Sequence, residues 1–427
     1  MHVKRNILTK NITDILQKIL FIGNIGSYKI ISIFGIFTLK INRTEKIQKK
    51  CVRVPIRKNK IVLLSGDNKT YSCNPKYITE EIIRRNLQYD LVWLLPKYYD
   101  LFYHVPEGIK VVNVDNWRAC LKELSEAHIW IDNNRKNRFF DKGLIKKEGQ
   151  FYIQTWHGSL GIKRICKSRP WFSLEKTNKF RFFASKPDDE SVDFVISNSN
   201  FDDLMFSDFF FNCKVIKLGH PRCDVFFLEE DRKRRIYERV HSVLGIPNDV
   251  KIVAYMPTFR DTGRIDCYDI DFESLVKTLE VKFGGKWVIV VKVHPKIKVL
   301  SKEIFRFSEN IIDVSRYPDT QELLSVVDVC ITDYSSCIFD FMLTRRPGFI
   351  FATDIEMYNN ERGFYYPLET TPFPIATTNE ELASNILNFD EKKYKCDVET
   401  FLKENGCIED GHSSERVVDL IEKLMAQ

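Results

Sequence analysis

The chain has 427 residues, 44% apolar and 29% charged, with a formal net charge of +7. That length accommodates two or three domains, and the balance of residue types is that of a folded globular protein, not a disordered or fibrous one. The positive charge is local: residues 1–60 hold fourteen Lys and Arg against Asp14 and Glu45, a net of +12 that leaves the remainder at −5.

The basic end comes first. Ile12 to Ile41 is apolar but interrupted by Lys18, Asn24, Ser27 and Lys29, whereas a spanning helix needs about 18 consecutive apolar residues. Lys4, Arg5 and Lys10 precede the stretch, and Lys40, Arg43, Lys46, Lys49 and Lys50 follow it. An apolar body with a basic rim predicts an amphipathic segment over residues 1–57, attached to an anionic membrane surface through residues 1–50. A helical pair packed on the body, its charges merely solvated, is the alternative. No nucleic-acid-binding module accompanies the charge, so no nucleic acid is expected. No signal peptide is read at the N-terminus. Eleven scattered cysteines without a C-x-x-C pair predict reduced thiols in the cytoplasm. Taken together, these features place the protein peripherally on the cytoplasmic face of the membrane.

From residue 58 the chain alternates. Lys60 to Ser65, Asp90 to Leu95, Lys110 to Val114, Ala127 to Asp132, Phe151 to Ile153 and Asp193 to Ser197 read as buried strands. Helical spacing lies between them at Tyr77 to Gln88 and Trp117 to Glu126. A second series follows the charged helix Asp231 to Val243, with strands at Lys251 to Tyr255, Trp287 to Val291, Ile311 to Asp313, Val329 to Thr332 and Phe349 to Phe351. Alternation of this kind predicts parallel sheets covered on both faces. The economical reading is an α/β chain with two Rossmann-like domains, residues 58–228 and 229–427, facing a cleft. Most of the phenylalanine clusters, such as Phe209-Phe210-Phe211, read as core.

Chemistry gathers where strands end, which is where open α/β sheets bind ligands. Thr155-Trp156-His157-Gly158 follows one strand, and Lys292-Val293-His294-Pro295 follows another. Each histidine is suited to moving a proton or holding a phosphate; a turn histidine satisfied by backbone, or one packed by Pro295, is the plainer reading. Thr332-Asp333-Tyr334-Ser335-Ser336 sits between a strand and a helical run, as an anion site or an ordinary N-cap would. Thr258 and Arg260 close the strand ending at Tyr255, and Arg222 lies in the turn Gly219 to Asp224. A guanidinium is suited to phosphate, although Arg222 could simply pair with Asp224. Neither a P-loop nor a dinucleotide fingerprint is present.

In this order, the segments resemble the CDP-glycerol glycerophosphotransferase family, the teichoic-acid glycerol-phosphate primases and polymerases. The resemblance rests on Thr155 to Gly158, Gly219 to Asp224, Tyr255 to Arg260, Val293 to Pro295, Asp313 to Asp340, Arg346-Pro347, Asp354 to Tyr365, and Asp410-Gly411 with Ser414 to Arg416. It implies a GT-B architecture with an acceptor domain first and a CDP-alditol domain second. The implied reaction is attack by a hydroxyl of a cell-surface glycan or lipid-linked acceptor on the β-phosphorus of CDP-glycerol, forming a phosphodiester and releasing CMP. His157 is then the general base. His294, Thr258, Arg260, Ser335 and Ser336 hold the donor pyrophosphate, helped by Arg222. Asp333 fixes the serine turn, and Glu356 and Arg362 lie on the nucleotide side. No cofactor is implied, and a metal requirement stays open, although no Asp-x-Asp pair flanks the phosphate motif.

The first histidine motif continues Ser159 to Arg164 where the family commonly shows Thr-Pro-Leu-Lys, which puts the acceptor in question more than the donor. CDP-ribitol as donor, or a nucleotide sugar in a GT-B glycosyltransferase, are the alternatives. An inactive cleft serving as a binding scaffold is disfavoured by the two histidines.

Overall fold

Val62-Leu63-Leu64, Val92 to Leu95 and Val288 to Val291 are apolar at successive positions and wholly buried, as befits strands covered on both faces. In the computed structural model they are central strands of two parallel sheets. The structure describes residues 20–25, 28–33, 37–66, 70–97, 105–134, 137–164, 190–210, 213–294, 297 and 301–427.

The first sheet contains β4 (Arg57–Leu63), β5 (Asp90–Leu95), β6 (Lys110–Asn113), β7 (Ala127–Asp132), β8 (Phe151–Gln154), β9 (Phe194–Ser197) and β10 (Lys214–Lys217). The second contains β11 (Val250–Tyr255), β12 (Lys286–Val291), β13 (Ile311–Asp313), β14 (Val329–Thr332), β15 (Gly348–Phe351) and β16 (Ile375–Ala376). Their orders are β6-β5-β4-β7-β8-β9-β10 and β13-β12-β11-β14-β15-β16. Each sheet therefore winds outward in one direction from its first strand and then reverses. Such a reversal leaves a crevice at the carboxyl ends of the two strands beside it. In the second sheet those strands are β11 and β14, held level by the pairing of Tyr255 with Ile331.

The N-terminal expectation is corrected in part. Among the described residues, Leu20–Ile25 (β1), Tyr28–Ile33 (β2) and Phe37–Asn42 (β3) form an antiparallel meander, not a helical pair. Runs such as Tyr-Lys-Ile-Ile-Ser-Ile are rich in β-branched and aromatic residues and suit a pleated strand. Helix α1 (Arg43–Arg53) then leads into β4. Residues 1–19, which carry part of the predicted membrane segment, lie outside the described residues. None of the described helices is long and apolar enough to cross a membrane.

The remaining helices that frame the site are α2 (Cys73–Arg84), α3 (Trp117–Glu126), α4 (Asn200–Phe209), α5 (Glu230–Leu244), α6 (Thr320–Val326), α7 (Cys337–Phe341), α8 (Ile355–Arg362) and α9 (Ser413–Met425). The last departs from a simple division at residue 229. Val417, Val418, Ile421 and Leu424 of α9 pack with Ile61, Leu63, Trp93 and Ile131 of the first sheet, so the chain returns to cover the domain it started with. Asp224 fixes this return: its two carboxylate oxygens accept from the backbone N–H groups of Ser413 and Ser414 at 2.9 and 2.7 Å. Gly219 (φ +82°) lies so close to Ser413 that a side chain there would collide with its hydroxyl. The domains are also joined by Lys76 of α2, whose buried ammonium meets Asp319 at 2.7 Å and Glu322 of α6 at 3.3 Å.

Candidate active site

The first histidine turn begins at the end of β8. Thr155 N–H continues the sheet by donating to Asp132 C=O at 2.8 Å, and Trp156 N–H donates to the Gln154 side chain at 2.9 Å. Trp156 then takes a left-handed conformation (φ +52°), which costs about 1–2 kcal/mol for a residue with a Cβ. Its ring is wedged against Phe206 and Phe210 and lies 4.6 Å from the His157 ring. His157 itself is exposed. Its Nδ1 stands 2.6 Å from Asn133 C=O. A carbonyl only accepts, so Nδ1 carries the proton and Nε2 is the basic nitrogen.

Next, the turn meets the second domain. A Cβ on Gly158 would lie 2.7 Å from Ser336 Oγ, so only glycine allows this approach. Ser159 Oγ donates to Asp340 of α7 at 3.1 Å. Beyond it, residues 160–164 lie across the second domain: Tyr365 N–H donates to Ile162 C=O at 2.8 Å, Arg164 N–H to Gly363 C=O at 3.0 Å, and Lys163 forms an antiparallel bridge with Phe364. These contacts bring the first histidine motif and the Ser335-Ser336 turn to one cleft.

Arg260 is the hub of a buried network. Its Nε and Nη2 meet the two oxygens of Asp354 at 2.8 and 2.9 Å, and Nη1 meets Asp333 at 2.8 Å and Thr258 C=O at 2.6 Å. The Tyr334 and Tyr358 rings each lie 5.0 Å from the guanidinium. Four of its five donors are thereby committed to protein. Asp333 also accepts from the N–H groups of Thr258 and Tyr334, so it ties the ends of β11 and β14 together. The hydroxyl of Thr258 is buried and has no partner in the protein.

Arg222 is also committed to a buried ion pair. It is fully buried and pairs through Nε and Nη2 with Asp340 at 2.9 and 3.0 Å. Its carboxylate partner is Asp340 and not Asp224. Burial opposes ionisation of Asp340, yet the Arg222 charge and hydrogen bonds hold its carboxyl below the usual range.

His294 is half-buried after β12, its ring 4.4 Å from that of Phe259. The guanidinium of Arg362, at the end of α8, lies 5.4 Å from the Phe259 ring and pairs with Asp261. The Nε of Arg362 is buried without a partner in the protein. Glu356 stands exposed on the first turn of α8. Ser336 precedes α7 without capping it through its side chain, and the Ser335 hydroxyl receives Cys337 N–H at 3.5 Å.

Two further residues bear on the cleft, one within the continuation of the first histidine motif and one that carried no signal in sequence. Lys163 is one: burial and the Arg362 charge push its pKa down to about 8, against the opposing pull of Asp333. The other is Asn74, buried in α2 and hydrogen-bonded to the histidine turn. Among the described residues no cluster of three or more His, Cys, Asp or Glu is arranged to hold a metal.

Two Rossmann-type sheets that present a histidine turn and a serine turn to a common cleft define a protein of GT-B architecture. A family model described as CDP-Glycerol:Poly(glycerophosphate) glycerophosphotransferase matches residues 47–423, and the chain belongs to that family. It is 31% identical over 385 residues to the teichoic acid poly(glycerol phosphate) polymerase of Bacillus subtilis (strain 168), covering 87% of this chain and 50% of that one. The protein of the same description in Staphylococcus epidermidis is 30% identical over 381 residues, covering 86% and 51%. The chain thus spans about half the length of both polymerases. A solved structure of the wall teichoic acid polymerase TagF, a histidine-to-asparagine variant soaked with CDPG, superposes with a TM-score of 0.75 at 27% identity, covering 90% of this chain and 93% of that one.

Proposed function

We propose that the protein transfers glycerol phosphate from CDP-glycerol to a hydroxyl of a cell-surface glycan or lipid-linked acceptor. The acceptor oxygen attacks the β-phosphorus, the bond from that phosphorus to the bridging oxygen breaks, and CMP leaves. Nε2 of His157 takes the hydroxyl proton as the phosphodiester forms. The observation that carries this reading is the bond from Nδ1 to Asn133 C=O, which fixes the tautomer and makes Nε2 the basic nitrogen. A positioned base of this kind is worth about 10²–10⁴ in rate.

On the donor side, the unpartnered Thr258 hydroxyl, the Arg362 Nε and the ring of His294 are the groups suited to the diphosphate, with Lys163 beside them. Arg260 and Asp333 hold this floor rigid, and fixed donors need no reorganisation as charge moves to the departing CMP. Attachment to an anionic membrane surface through residues 1–50 completes the reading and is supported by the charge of that segment. Purified protein should be offered CDP-glycerol, CDP-ribitol and a UDP-sugar with membrane extract, and nucleotide release followed. The reading expects CMP from CDP-glycerol. CMP from CDP-ribitol alone would assign the ribitol donor, and UDP release would overturn phosphotransfer.

A further inference from the structure

We infer that Asn74 is the positioning residue of the His157 base, an inference that rests on the reading of His157 given above. Asn74 is fully buried as the second residue of α2. Its Nδ2 donates to the carbonyls of Thr155 at 2.9 Å and Trp156 at 3.0 Å, the two residues that precede the histidine. Its Oδ1 accepts from Arg222 N–H at 3.0 Å. Both amide hydrogens and the acceptor are therefore spent on backbone, and the left-handed Trp156 is held by the carbonyl it presents to α2. Such strain persists only where its surroundings over-determine it. Cys73, immediately before Asn74, is left-handed as well (φ +59°), so strained backbone lies on both sides of this contact.

The hold is closed from the other direction. Arg222 pairs with Asp340, and Asp340 accepts from Ser159 Oγ, two residues beyond His157. Asn74, Arg222, Asp340 and Ser159 thus form one buried loop of contacts around the histidine turn, joining it to the second domain through α7. Aspartate would set a carboxylate against two carbonyls, and alanine would withdraw the partner that Asn74 supplies to two carbonyls and an N–H.

The test is a double-mutant cycle between Asn74→Ala and His157→Ala, read as kcat and KM for CDP-glycerol. Small misplacements of a catalytic group cost about 100-fold in rate, so Asn74→Ala should lower kcat by about that factor and leave KM for the donor nearly unchanged. In the His157→Ala background the same substitution should cost almost nothing further, because residues that act as a unit are not additive. An equal loss in both backgrounds, or wild-type kcat in Asn74→Ala, overturns the inference. Asn74→Ser, which keeps one hydroxyl donor, gives the same two readings if Asn74→Ala does not fold. Normal turnover by His157→Ala alone would remove the base reading itself, a result separable from the Asn74 coupling.

Discussion

A guanidinium buried between two carboxylates does different work from one that waits for a phosphate. Arg260 spends its donors on Asp333, Asp354 and the Thr258 carbonyl, so Arg260→Ala should show first as lost stability. Removing one partner of a buried pair costs about 3–5 kcal/mol, and a denaturant titration should find a loss of that size. Lys163 behaves differently. Its folded pKa of about 8 lies below the ordinary lysine value of 10.5, so between those values the folded chain holds less of a proton than the unfolded one. A diphosphate bound beside it would draw the proton back. Calorimetry at pH 8.5 in buffers of different ionisation enthalpy should record proton uptake with CDP-glycerol, and Lys163→Met should abolish it. The residue types at the strand ends were legible in the sequence, but their partners were not. Arg222 and Asp340 are 118 positions apart, and no local pattern announces such a pair. Asn74 was hidden for the same reason: its hydrogen bonds reach 81 and 82 positions ahead.

At the scale of elements, the strands of both sheets other than the edge strands β10 and β16 were visible because doubly covered strands are apolar at successive positions and end in turns; β10 is only partly buried and β16 spans two residues. The N-terminal strands were less so. Lys29, Lys40 and Ser32 interrupt them in a way that serves an amphipathic segment equally well, and the antiparallel register emerges only from pairing such as Ile31 with Leu39. The crossing-back of α9 is a long-range event with no signature beyond its amphipathic spacing. Its four buried apolar residues Val417, Val418, Ile421 and Leu424 contribute roughly 1.5–3 kcal/mol each. Their sum is comparable with the whole stability of an ordinary domain, about 5–15 kcal/mol. Truncation after His412 should therefore leave the first domain unfolded, seen as loss of a cooperative melt and of soluble yield. A truncated chain that melts like the full one would contradict the assignment of α9 to that domain.

For the whole molecule, the seam between domains is polar and sealed. Asp202 and Glu409 are both pushed up to about 7, in each case chiefly by burial. Acids that bind protons more tightly when folded favour the fold at low pH. Their contribution is present below the ordinary values of 3.8 and 4.5 and is lost as pH rises through about 7. His220, between them, acts oppositely, since burial and Arg222 push its pKa down and the unfolded chain takes its proton first. Asp202→Asn should accordingly make the stability curve between pH 5 and 7.5 less falling than in the wild type, as read from unfolding at several pH values. An unchanged slope would mean that Asp202 is ionised in the folded protein throughout this range.

The central claim is that His157 supplies the base for transfer from CDP-glycerol. The direct measurement is CMP release by His157→Ala beside the wild type, together with the affinity of each for CDP-glycerol. Release slowed by about 10²–10⁴ with donor affinity retained is the predicted result. Wild-type release by the variant, or a loss explained wholly by weaker donor binding, would contradict it.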